Sequence, residues 1–151
     1  MFRSQGFTLL EVLLVAALLA MIAGFSIGIY DNYGRNADLN STAKNIIYDL
    51  RQMRSAAAAG ENRRNWGMHL VNGSQDYYEL FSSPTNYADP EKTMILSEYL
   101  PAGLHFVSPA EGISQDVIFA SITGDTAAAA ITIASSGSSV TINITASGAV
   151  D

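Results

Sequence analysis

Gly6-Phe7-Thr8-Leu9-Leu10-Glu11, continued by an uncharged apolar run from Val12 to Tyr30, decides how the rest of this chain is read. A short polar leader carrying Arg3 stops at Gly6, and the hydrophobic segment that follows holds one carboxylate, Glu11, near its start. About 20 apolar residues suffice for a helix to cross a bilayer. An ionised carboxylate deep in hydrocarbon costs ~2.5–3.5 kcal/mol, and less near the interface. Anchoring therefore accounts for the length of the run and leaves Glu11 unexplained. A secretory signal peptide has a shorter apolar core with a small-residue cleavage site after it. Here the run is too long, the leader too short, and no such site follows Ile29.

Beyond Asp31-Asn32-Tyr33-Gly34 the pattern changes without a linker. Leu39, Ala43, Ile46, Leu50, Met53 and Ala57 recur at spacings of four and three, with Ile47 widening the stripe. That is the apolar face of an amphipathic helix. Asp38, Lys44, Asp49, Arg51 and Arg54 fall largely off it, and Gly60 is placed to end the helix. The spacing predicts one nearly continuous helix from about Thr8 to Ala59, apolar all round in its first half and on one side in its second. Gly24 and Gly28 allow close approach of neighbouring helices in the first half.

From Asn65 the period becomes strand-like. Trp66 to Val71 and Tyr77 to Phe81 flank a turn that begins Asn72-Gly73, a hairpin signal. Residues 82–92 read as a polar loop, followed by short strands at Thr93 to Leu96, Leu104 to Val107 and Val117 to Phe119. Ala130 to Ala134 and Val140 to Thr145, around a Ser/Gly turn, form a last hairpin. No side chain between Asp125 and Asp151 is charged. Uncharged strands invite edge pairing, so these are expected to be interior strands or to be covered in the assembly. The fold class is α+β, a long N-terminal helix packed on antiparallel sheet.

The 151 residues leave about 120 beyond the apolar run, enough for one modest domain. With no cysteine, that domain is held by burial alone. A net charge of −6 argues against nucleic acid as a partner. Arg3 favours a cytoplasmic N-terminus.

The residues Gly6-Phe7-Thr8-Leu9-Leu10-Glu11-Val12 resemble, without a gap, the processing site of type IV pilins and pseudopilins. The resemblance implies that a prepilin peptidase cuts between Gly6 and Phe7, that Phe7 is N-methylated, and that Glu11 meets the Phe7 amino group of a neighbouring subunit. It divides the chain into a leader (1–6), a transmembrane and assembly helix (7–30), an amphipathic helix (31–60) and an antiparallel β domain (61–151). The expected partners are other pilins or pseudopilins in a hetero-polymeric filament, the peptidase, an inner-membrane assembly platform and membrane lipid. The expected place is the bacterial inner membrane, single-pass, with the C-terminal domain periplasmic, and then the filament. Leu50-Arg51-Gln52-Met53-Arg54-Ser55-Ala56-Ala57, Gly60, Asp116-Val117-Ile118-Phe119, Gly124 and the closing hairpin before Gly148 are similar to the GspH/FimT minor pseudopilins of type II secretion. DNA-binding members of the FimT branch carry a basic C-terminal Gly-Arg-x-Arg-like segment. The run from Ala146 to Asp151 here is not basic, which argues against DNA uptake.

Two other function classes compete for the same sequence. A minor type IV pilin acting in pilus assembly, adhesion or DNA uptake would share the N-terminus. A membrane-anchored enzyme would need a convergent polar site, and none of the serine-hydrolase, zinc-peptidase or P-loop motifs occurs. His69 and His105 read as packed or rim residues. Asp89/Glu91 and Asp116/Asp125 lack the spacing of a calcium loop. Arg51, Arg54, Arg63 and Arg64 read as a helix-end cluster complementing the C-terminal dipole and nearby acids. Asn40, Asn72 and Asn143 begin Asn-x-Ser/Thr triplets that carry little weight. No catalytic residue, cofactor or metal is expected.

Overall fold

The computed structural model describes the backbone of residues 8–151 and the side chains of residues 8–22 and 34–151. Helix α1 (Leu9–Ala58) covers the interval read from the heptad-like spacing. Gly60 closes it in the left-handed region at φ +66°, with its N–H donating to the Ala57 carbonyl at 2.8 Å. Seven strands follow: β1 (Asn65–Val71), β2 (Tyr77–Ser83), β3 (Thr93–Tyr99), β4 (His105–Ser108), β5 (Ser114–Phe119), β6 (Ala129–Ser135) and β7 (Ser138–Ile144). They form a four-stranded sheet ordered β3-β2-β1-β5 and a three-stranded sheet ordered β4-β6-β7, antiparallel throughout.

The chain divides into two compact units, residues 1–34 and residues 35–151. In the first, the described side chains from Leu9 to Ile22 are all exposed, with Leu9 79% accessible. Among the described residues, no helix is long and apolar enough to cross a membrane. The leader, Phe7 and the Gly24 and Gly28 positions lie outside the described side chains.

Among the described residues, the buried core lies in the second unit. Leu39, Ala43, Ile46, Leu50, Met53 and Ala57, the six positions of the predicted stripe, are buried. They meet Met68, Leu70, Tyr78, Leu80, Val117 and Phe119 from one sheet and Phe106, Ile131, Ile133, Ile142 and Ile144 from the other. The alternation along each strand supplies this face because successive side chains point to opposite sides of a sheet. Burying a Leu- or Ile-sized side chain is worth ~1.5–3 kcal/mol, so the helix stripe and both sheets depend on one another.

One expectation is corrected. β3 runs on to Tyr99 rather than stopping at Leu96, and it is an edge strand exposed at every position. Of the two uncharged C-terminal strands, β6 is interior but β7 is an edge. The tail covers one end of that edge: Asp151 and Asn143 exchange backbone hydrogen bonds at 2.8 and 3.0 Å, and Val150 bridges Ile144. An extended tail turning back on its own strand supplies this cover.

Candidate assembly site

Thr8 starts α1. Its Oγ1 accepts a hydrogen bond from the Glu11 N–H at 3.3 Å, and its carbonyl accepts from Glu11 and Val12 N–H at 3.1 and 3.2 Å. This is one half of a capping box, and Thr8-x-x-Glu11 is its sequence signature. Reading the segment only for its hydrophobicity overlooks that signal. Glu11 lies in the first turn, where a negative charge is favoured by the helix dipole. It makes no ion pair among the described residues. Leu9, Leu10, Val12, Leu13, Leu14 and Val15 around it are all exposed. The described side chains of residues 8–22 thus form an apolar surface with one acid fixed at its start. A contiguous apolar surface of this kind requires lipid or other protein against it. The cleavage and methylation residues, Gly6 and Phe7, lie outside the described residues.

Elsewhere the polar clusters hold the β domain together. Arg51 donates to the Val150 carbonyl at 2.7 Å and Arg54 to the Ser147 carbonyl at 3.0 Å. The tail can lie this close because Gly148 has no side chain: a Cβ there would meet the Gly124 carbonyl and stand 2.8 Å from Arg54 Nε. Arg64 donates to the Glu91 carbonyl at 2.9 Å and to Thr93 Oγ1 at 3.3 Å. Of the four arginines predicted as a dipole-complementing cluster, Arg51 and Arg54 therefore clamp the tail and Arg64 a loop. The last turn of α1 contains no basic residue.

His69 and Asp116 face each other across the β1/β5 pair with Nδ1 and Oδ1 2.5 Å apart. Tyr87, from the loop after β2, stacks on the imidazole at 3.6 Å and donates its hydroxyl to Glu79. Burial foremost, and then Glu79, pushes the Tyr87 hydroxyl well above the usual phenol range. Lys92 lies 3.5 Å from the Tyr87 ring centroid, and Phe81 meets the same ring edge-on. Together these contacts seal the outer face of β1, the strand on which a Cβ at Gly67 would stand 2.5 Å from the Val117 carbonyl. His69 is accordingly a packed residue, and His105 an exposed one.

The β1–β2 turn does more than reverse the chain. Asn72 is buried and donates from Nδ2 to the carbonyls of Phe106 and Pro109, at 2.8 and 2.7 Å. Asp76, also buried, accepts from Gly73 N–H at 3.0 Å and Phe106 N–H at 2.5 Å. The turn thus ties the first sheet to β4 of the second. Among the described residues, no group of three His, Cys, Asp or Glu side chains gathers as a metal site.

Compared with known proteins, residues 1–27 match the family model described as the prokaryotic N-terminal methylation motif. No curated protein sequence and no solved structure matches the chain. The motif implies processing by a prepilin peptidase and assembly with other pilins. It also implies membrane anchoring before residence in a filament. The match and the Thr8-capped, Glu11-bearing apolar helix together indicate a type IV pilin-like prepilin.

Proposed function

We propose that this chain is a minor pseudopilin, a structural and non-catalytic subunit of a membrane-rooted helical filament, the pseudopilus of type II secretion, which helps export folded proteins. The observation that carries the reading is the match of residues 1–27 to the methylation motif. In this mechanism the peptidase cuts after Gly6 and methylates the new Phe7 amino group. The subunit then leaves the bilayer, and its apolar helix faces exchange lipid for neighbouring helices. That exchange brings little net hydrophobic gain, since lipid is already apolar. A carboxylate moved out of reach of water is tolerated only when paired. The Phe7 ammonium of one subunit and Glu11 of the next therefore set register rather than supply bulk energy.

The tail geometry supports a filament role in secretion over DNA capture. Arg51 and Arg54 direct donors to backbone carbonyls of the tail, which itself has no basic side chain. The test is the intact mass of membrane-extracted protein from cells with a prepilin peptidase. Loss of residues 1–6 with one added methyl is expected, and Gly6→Asp should block both. Recovery of full-length, unmethylated protein alone would contradict the reading. Deleting the gene should then abolish export of a folded substrate. Loss of surface pili with export intact would favour the minor type IV pilin instead.

A further inference from the structure

β3 is the least secured strand of the β domain. It pairs with β2 alone, all seven of its residues are exposed, and none belongs to the buried core. Arg64 holds its first residue through Thr93 Oγ1. Near its other end the tie is made at the Tyr78 hydroxyl, approached by Asp49 Oδ2 from α1 at 2.9 Å and by Glu98 Oε2 from β3 at 3.1 Å. Glu98 stands directly opposite Tyr78 in the β2/β3 register. Helix, inner strand and edge strand thus meet at one oxygen.

That oxygen has one proton to give and lone pairs to accept with, whereas an ionised carboxylate can only accept. Two ionised acids cannot both be bonded to it. The arrangement is complete when one acid carries a proton: that acid donates to Tyr78 Oη, and Tyr78 donates to the other. Among the described residues, no Lys, Arg or His lies within ion-pair distance of either acid. Arg51, on the same helix as Asp49, is turned to the Val150 carbonyl, and Lys92, just before β3, rests on the Tyr87 ring. The titratable groups facing this point are therefore Asp49 from α1, Tyr78 from β2 and Glu98 from β3. The proton that completes it comes from solvent.

We propose that Asp49, Tyr78 and Glu98 form a proton-operated tie between α1 and the edge strand β3, closed when the two acids hold one proton between them and open when they hold none. In the closed state the half-buried Asp49 carboxyl donates to Tyr78, whose hydroxyl donates to Glu98. Once Asp49 loses its proton, Tyr78 turns its hydroxyl hydrogen to Asp49, which is the less exposed of the two acids. Glu98, exposed and repelled by Asp49, swings to solvent, and β3 loses its link to α1. Burial first, and Glu98 in addition, raise the Asp49 carboxyl above its ordinary value. Burial foremost also pushes the Tyr78 hydroxyl well above the usual phenol range, so it keeps its proton throughout. An acid raised in the closed state holds that state at low pH and releases it as pH rises through the raised value. The edge strand is thereby firm in acid and loosened near neutrality. This stands whether or not the secretion reading does.

The experiment is amide hydrogen exchange on the full chain in detergent micelles, with protection corrected for the intrinsic effect of pH on exchange. β6, the central strand of the other sheet, is the internal reference. Between about pH 4 and about pH 7, protection of β3 should fall about tenfold relative to β6, the change that one unit of raised carboxyl affinity gives. Asp49→Asn and Glu98→Gln each supply an amide donor that needs no added proton. In either variant β3 should therefore stay protected across the range. Wild-type β3 protection that keeps pace with β6 overturns the proposal. A fall of wild-type size in either variant overturns it too, since the titrating group would then lie elsewhere. The wild-type comparison decides even where a variant folds poorly, which loss of β6 protection would report.

Discussion

Leu50 is the residue on which the packing of α1 against both sheets can be measured. It has no accessible surface and sits within the one core shared by α1 and the two sheets. Leu50→Ala removes three carbons, worth ~0.8 kcal/mol each by transfer, or ~2.4 kcal/mol together. The cavity left behind adds ~24 cal/mol per Å³, so an unrelaxed void of ~60 Å³ costs ~1.4 kcal/mol more. The expected loss is ~4 kcal/mol, within the ~2–5 kcal/mol seen for such truncations. The assay is urea denaturation of residues 35–151, the unit that holds the core of the described residues. The single tryptophan, Trp66, packs against that core and reports by fluorescence. The midpoint should fall with the slope unchanged. Tyr48→Ala, at a side chain 67% exposed on the same helix, should cost less than ~0.5 kcal/mol. A Leu50→Ala loss as small as that of Tyr48→Ala would refute the packing argument and move the stripe to an intersubunit surface.

Gly148→Ala forces a side chain onto a backbone at φ +77° and against the Gly124 carbonyl. It should cost at least ~1–3 kcal/mol in the same melt and release the tail from Arg54, read as faster proteolysis after residue 145. Asn72→Ala leaves the buried Phe106 and Pro109 carbonyls without their donor and should cost ~1–3 kcal/mol. Asp49 has its carboxyl raised above the ordinary value of 3.8, by burial first and by Glu98 in addition, while the Tyr78 hydrogen bond opposes the shift. A raised acid holds its proton more tightly in the folded state. Its favourable contribution is therefore full below pH 3.8 and is lost as pH rises through the folded value. Asp49→Asn should be neutral or stabilising at pH 7 and should flatten the pH dependence of the melt over that window. An Asn variant with an unchanged slope against pH would contradict it.

The elements with local causes were legible from pattern. The six-position stripe from Leu39 to Ala57 announced the buried face of α1, because a 3.6-residue period leaves few alternatives. The hairpin at Asn72-Gly73 was equally plain. What was not legible depends on distant partners. Nothing local marks Asn72 as a buried clamp, since its acceptors lie 34 and 37 residues away. Ser97 and Glu98 break the apolar run of β3, so its full length emerges only from pairing with Glu79 and Tyr78. The arginines of α1 looked like partners for the helix dipole because the tail that occupies Arg51 and Arg54 lies 99 and 93 residues onward. The N-terminal site was the reverse case. Glu11 stood out by its position in an apolar run, and the structure adds the Thr8 cap that fixes the start of its helix.

Replacing Glu11 with alanine separates a role in assembly from a role in anchoring. Glu11→Ala removes the only charge between Thr8 and Ile22, so membrane insertion should be intact or slightly improved. The β domain should keep its stability, because its core begins at Leu39. Cleavage after Gly6 should persist. Crosslinking of the processed subunit to its filament neighbours in the membrane is the measurement. A sharp fall in crosslinked product is expected from a normally expressed and processed Glu11→Ala protein. Wild-type crosslinking from that protein would contradict it.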